Sequence, residues 1–183
     1  MENPYLCSEA RPTLVATQVL LGKVTMSRQA DPRTLNFAGD VDEHGQPLRK
    51  SVEVLQARTE KWPVSRRTPD GVAALLARSR QMFVDGYYTY ENFIDAATRS
   101  LQAVEAALRV RFNADEKVSF AGLIKRARDE GLMDAPTCDI LDTGRQLRNR
   151  QVHATTQSVV PPVIAADIIR VSHLLVSELY GQV

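Results

Sequence analysis

Residues 90–112 read YENFIDAATRSLQAVEAALRVRF, and this stretch decides the fold. Tyr90, Ile94, Ala97, Leu101, Val104, Leu108 and Phe112 recur at steps of three or four. At roughly 100° per residue that spacing keeps them on one side of an α-helix, the mark of a buried face. A face this long must be covered by other apolar surfaces, and the flanking sequence supplies them. Upstream, Val72, Leu75, Leu76, Met82 and Phe83 fall at helical spacing. Thr68 is the expected N-cap, Pro69 the first helical residue and Gly86 the stop. Downstream, Phe120, Leu123, Ile124 and Ala127 form a shorter helix that Gly131 ends. A fourth helix starts near Asp134-Ala135-Pro136. Pro161-Pro162 allows a fifth, carrying Ile164, Ile168, Val171, Leu175 and Leu179 and closing at Gly181. Strand-like alternation is absent here. The expectation is an all-α fold, a five-helix up-and-down bundle over residues 67–183.

Residues 1–66 differ in character. Pro4, Pro12, Pro32, Pro47 and Pro63, with Gly22, Gly39 and Gly45, punctuate them. Leu14–Leu21 and Ser51–Leu55 are each compatible with a strand or a short helix, and Asp42–Pro47 reads as a turn. This region is expected to be a mostly irregular N-terminal arm on the main body, without recognisable chemistry. No internal repeat or low-complexity tract is seen.

Composition excludes several classes. The net charge of +1 over 183 residues gives no bulk electrostatic argument for nucleic acid, so any RNA contact must come from a local cluster. No apolar run approaches the length of a membrane span. The first residues lack a basic segment followed by an apolar one, and Cys7 and Cys138 read as unpaired thiols, so a cytoplasmic location is expected. Clustered carboxylates, zinc-type Cys/His spacing and a glycine-rich phosphate loop are not apparent, and no metal or other cofactor is expected.

The chemistry concentrates in Arg148-Asn149-Arg150-Gln151-Val152-His153 on the fourth helix. With Arg148 at zero, Leu141 lies at about 20°, Val152 at about 40°, Gly144 at about 320° and Leu147 at about 260°, which defines the buried side. Arg148 therefore points inward, as does Arg145 at about 300°. Asn149 and His153 flank that side, four residues apart and able to share a hydrogen bond. Arg150, at about 200°, points away and could hold a distal phosphate. A guanidinium on an inward face needs an anion. Glu105, beside the Leu101–Leu108 stripe, is the expected partner acid; the other explanation is that this side lines a cleft or subunit interface, and both can hold together. Asp139 and Asp142 would dampen the positive field or salt-bridge within the helix. The other two histidines read as ordinary: His44 in the turn of the arm, and His173 on the polar side of the fifth helix, structural or solvent-facing. Tyr87, Tyr88 and Tyr90 read as packing around a tight turn, with base stacking the alternative.

Arg148-Asn149-x-x-x-His153, near the end of a penultimate helix and followed by Pro-Pro and a final helix, resembles the R-[polar]-x-x-x-H signature of the HEPN superfamily. The resemblance covers about residues 68–181. It implies a homodimeric, metal-independent endoribonuclease whose motif helices meet at a shared cleft. His153 would be general acid or base, Arg148 would stabilise the phosphate charge, and Asn149 would orient His153 or the phosphate. Arg145 and Arg150 would bind substrate. The 2′-hydroxyl would attack the adjacent phosphate and leave a cyclic phosphate end, in a toxin or an antiviral or stress effector. The resemblance also suggests a cognate inhibitor, a nucleotidyltransferase-like protein. Two alternatives stand beside it: a non-catalytic HEPN-like dimeric module that binds RNA, a nucleotide or a partner protein, and a plain structural helical domain.

Overall fold

A computed structural model describes residues 28–36, 44–46, 50–153 and 160–181, the last four residues of the 50–153 segment by backbone alone. Among these residues there is no strand, and there are seven helices rather than five: α1 (Pro32–Asn36), α2 (Val52–Glu60), α3 (Asp70–Asp85), α4 (Asn92–Phe112), α5 (Phe120–Asp129), α6 (Ala135–His153) and α7 (Pro162–Gly181). The two additional helices lie in the arm. Asp31 starts α1 by accepting from the Arg33 N–H at 2.9 Å, and Ser51 caps α2 by accepting from the Val54 N–H at 3.3 Å. The core stripe of α2 is Leu55 and Thr59, continued by Trp62 beyond its end. A threonine in the middle hides the apolar period. Its hydroxyl is satisfied within the helix by the Gln56 carbonyl at 2.8 Å. Leu55 and Trp62 join the same core as α3–α7.

The stripe of α4 is buried along its whole length, from Tyr90 to Phe112. A second set, Phe93, Ala96, Ser100, Ala103 and Ala107, is buried as well, so α4 is enclosed on more than one side. It packs most extensively against α3 and α7. Ser100 and Ser172 meet at 3.1 Å, each also 2.8 Å from a carbonyl of its own helix. Small hydroxyl residues let α4 and α7 approach closely without an unpaired polar atom. Further along, the Tyr180 hydroxyl donates to the Ala107 carbonyl at 3.2 Å, while at the other end Tyr90 donates to Val160 at 2.6 Å. These bonds run in register, so α4 and α7 are parallel. Strict up-and-down alternation would make the second and fifth helices of the body antiparallel, so the topology departs from that expectation.

Element ends follow local chemistry. Ser119 caps α5 by accepting from Gly122, and Asn113 ends α4 at φ 47°. Thr68 is not the cap of α3. Pro69 holds that position, and the buried Thr68 hydroxyl makes no hydrogen bond among the described residues. On α7, Ile164 is exposed rather than buried, because the core face turns through Ala165, Ile168, Ile169, Ser172 and Val176. His173 is fully buried, not on a polar side. Cys138 is a buried free thiol, and Cys7 lies outside the described residues. Among the described residues no helix is long and apolar enough to cross a membrane.

Candidate functional site

Gly144 sets the position of the candidate site. A Cβ there would lie 3.0 Å from a Leu101 methyl and 3.3 Å from Ile168, so glycine lets α6 settle against both α4 and α7. One turn on, Arg148 reaches α4. Its Nη1 stands 3.7 Å from Oε2 of Glu105, with about a quarter of each side chain exposed. That separation is an ion pair without a direct hydrogen bond, and among the described residues Arg148 makes no hydrogen bond. The other oxygen of Glu105 accepts from Arg109 at 2.8 Å, one turn along α4. Arg109 also donates to the carbonyls of Asp115 and Val118, fixing the turn into α5. Glu105 is thus shared, with its shorter bond to Arg109. Sequence reasoning missed Arg109, although its i,i+4 spacing from Glu105 is the signal that would have found it.

The other predicted residues are distributed along α6. Arg145 is half-buried and committed to Asp142, its Nε 2.7 Å from Oδ1. Gln146 and Arg145 together hold the Asp142 carboxyl below the usual carboxylate range. Asn149 is exposed. Arg150 and His153 lie on α6, and their side chains are outside the described residues, as are those of Gln151 and Val152. Arg148 and Glu105 are therefore the pair brought together, with Asn149 adjacent on the open side. Such a partly exposed pair contributes at most about 1 kcal/mol to stability. Its consequence is positional: it holds a guanidinium at the α4–α6 seam with its donors not hydrogen-bonded to any described residue.

The tyrosines are packing groups. Tyr90 is buried edge-on to Phe93, and Tyr87 and Tyr88 pack against each other at 5.1 Å. The arm closes over this corner. Arg33 bridges Asp31 and Glu91 and lies 5.1 Å above the Tyr90 ring, while Asp31 accepts from the Tyr90 N–H at 3.0 Å. The hydrogen bond from Arg33 holds the Asp31 carboxyl far below its ordinary range. His44 is exposed in a turn of the arm. Among the described residues, no three His, Cys, Asp or Glu side chains converge as metal ligands would.

Comparison of the chain with protein-family models, with curated proteins and with solved structures found no match.

Proposed function

We propose that the chain is a metal-independent endoribonuclease that acts as a homodimer through Arg148, Asn149 and His153. The observation that carries this reading is the state of Arg148. It is a partly exposed guanidinium, oriented by Glu105 at 3.7 Å, with no hydrogen bond to a described residue. Guanidinium donors in that state suit bidentate contact with phosphate oxygens. Imidazole titrates near neutrality and suits proton transfer to or from an RNA ribose. In the reaction, the 2′-oxygen forms a bond to phosphorus as its proton passes to a base. The bond from phosphorus to the 5′-oxygen breaks as that oxygen takes a proton from an acid. The products are a 2′,3′-cyclic phosphate and a free 5′-hydroxyl. His153 of one copy and His153 of a second copy supply the base and the acid, so the dimer is required. A toxin or antiviral or stress effector held in check by an inhibitor protein fits this activity.

The test is cleavage of structured and unstructured RNA by the purified chain in excess chelator. We expect cyclic phosphate ends, with the rate falling at least about a hundredfold in both His153→Ala and Arg148→Ala. Circular dichroism must show both variants folded. Activity lost to chelator, or unchanged in both variants, overturns the proposal. The Glu105 pair also favours a second reading, a non-catalytic dimeric module in which Arg148 is structural. RNA binding or dimerisation without cleavage, lost in Arg148→Ala, would be its result.

A further inference from the structure

The connector between α2 and α3 reads Lys61-Trp62-Pro63-Val64-Ser65-Arg66-Arg67-Thr68-Pro69, with three cations and no acid. Its backbone is tied to the core at several points. Trp62 is buried, edge-on to Phe83 at 5.2 Å and tilted on His173 at 5.6 Å. The Pro63 carbonyl accepts from Nδ1 of His173 at 3.0 Å. The Ser65 hydroxyl donates to the Tyr180 carbonyl at 3.0 Å and accepts from the Arg67 N–H at 3.2 Å. The Thr68 N–H then donates to the Ser65 carbonyl at 3.1 Å.

The charged side chains of this anchored connector face outward. Lys61, Arg66 and Arg67 are exposed, and among the described residues their side chains form no ion pair or hydrogen bond. Several other surface arginines, Arg33, Arg126, Arg145 and Arg170 among them, are neutralised by a neighbouring carboxylate, whereas Arg78, Arg111 and Arg128 are exposed without an ion pair among the described residues. Behind the connector, Arg80 of α3 adds a fourth positive charge. It donates to the Trp62 carbonyl and lies 3.5 Å from His173, again with no carboxylate partner among the described residues. The connector therefore carries three exposed cations on a chain of net charge +1, with Glu60 and Asp70 as the acids that flank it.

We infer that the Lys61–Arg67 connector is the phosphate-backbone docking surface for single-stranded RNA. The choice of RNA as ligand rests on the ribonuclease reading above. The rigid backbone and uncompensated cations are independent of it. An anchored loop loses little conformational freedom on binding, so its charges are preorganised for a polyanion. Charges placed in this way position a strand without reading its sequence.

The test uses full-length His153→Ala, so that RNA persists, and fluorescence anisotropy of labelled single-stranded RNA across a salt series. Substituting Lys61, Arg66 and Arg67 together by alanine should lower the slope of log K against log salt by about 2, at about 0.7 for each phosphate that is no longer neutralised. The weakening should be uniform across RNA sequences. The control triple, Lys117→Ala, Lys125→Ala and Arg128→Ala, removes the same charge from other exposed positions and should leave the slope unchanged. Circular dichroism melts check that both triples fold. An unchanged slope in the first triple, equal reductions in both, or tighter binding to anionic phospholipid vesicles than to RNA overturns the inference. Cleavage in the presence of His153, with an unchanged slope, would leave the ribonuclease reading standing and remove this one. A lowered slope without cleavage would do the reverse.

Discussion

Phe93→Ala should lower the unfolding free energy by about 3–5 kcal/mol, read as a lower urea midpoint at unchanged slope. Phe93 is fully buried at the centre of an edge-to-face aromatic chain. Its ring lies 5.7 Å from Tyr90 on one side and 5.2 Å from Phe83 on the other, and Phe83 continues to Trp62. The same ring explains Gly86. A Cβ at Gly86 would stand 2.7–2.8 Å from three Phe93 ring atoms, although the backbone φ of −57° suits any residue. Gly86→Ala should therefore cost about 1–3 kcal/mol through steric strain alone. In a Phe93→Ala background the same change should cost close to nothing, because the obstructing ring is gone. A double-mutant cycle by urea unfolding reads this coupling. Additive costs would mean that Gly86 serves something other than the close approach to Phe93.

Acidification below about pH 6.5 should destabilise the protein, and His173 is a cause. Its Nδ1 faces the Pro63 carbonyl, which can only accept, so Nδ1 carries the proton of a neutral ring. Its Nε2 is buried without a hydrogen-bond partner among the described residues. Burial pushes the imidazole down to about 4; the Pro63 hydrogen bond works against this and the Arg80 guanidinium adds to it. The folded-state value lies below the unfolded one, so the unfolded chain binds the proton first as pH falls. Stability is at its full value above about pH 6.5, declines through the interval to about 4, and is then level for this group. The whole interval is worth about 3 kcal/mol. Urea unfolding at stepped pH should show this decline in the native chain. In His173→Gln, which keeps a donor for Pro63, the decline should be smaller by close to one proton. An equal decline in the variant would assign the effect elsewhere. The chain has three histidines, so the His173 ring resonance can be followed directly by NMR.

The helices of the main body were legible because each carries enough apolar residues at helical spacing to mark a face. All seven residues of the Tyr90–Phe112 stripe are buried, as are the four named on α5. Helix α2 was legible only as a strand or a short helix over Ser51–Leu55, because Thr59 occupies a core position and prolines flank the segment. The polar side of α7 was misjudged for the same reason: Ser172 and His173 are buried polar residues with partners elsewhere in the fold, and a wheel of hydropathy cannot see those partners. At the candidate site, the inward direction of Arg148 and its approach to Glu105 followed from helical geometry. The sharing of Glu105 with Arg109 did not.

By itself the sequence determined the all-α class, the main helical faces and the single stretch where arginine, amide and imidazole combine, since these depend on local period and residue chemistry. Tertiary structure alone decided helix α1, the choice of helix over strand for α2, the parallel course of α4 and α7, the burial of His173, and the anchoring of a cationic connector to the core. Each of those depends on contacts between residues far apart in the chain, and no local period encodes such a contact.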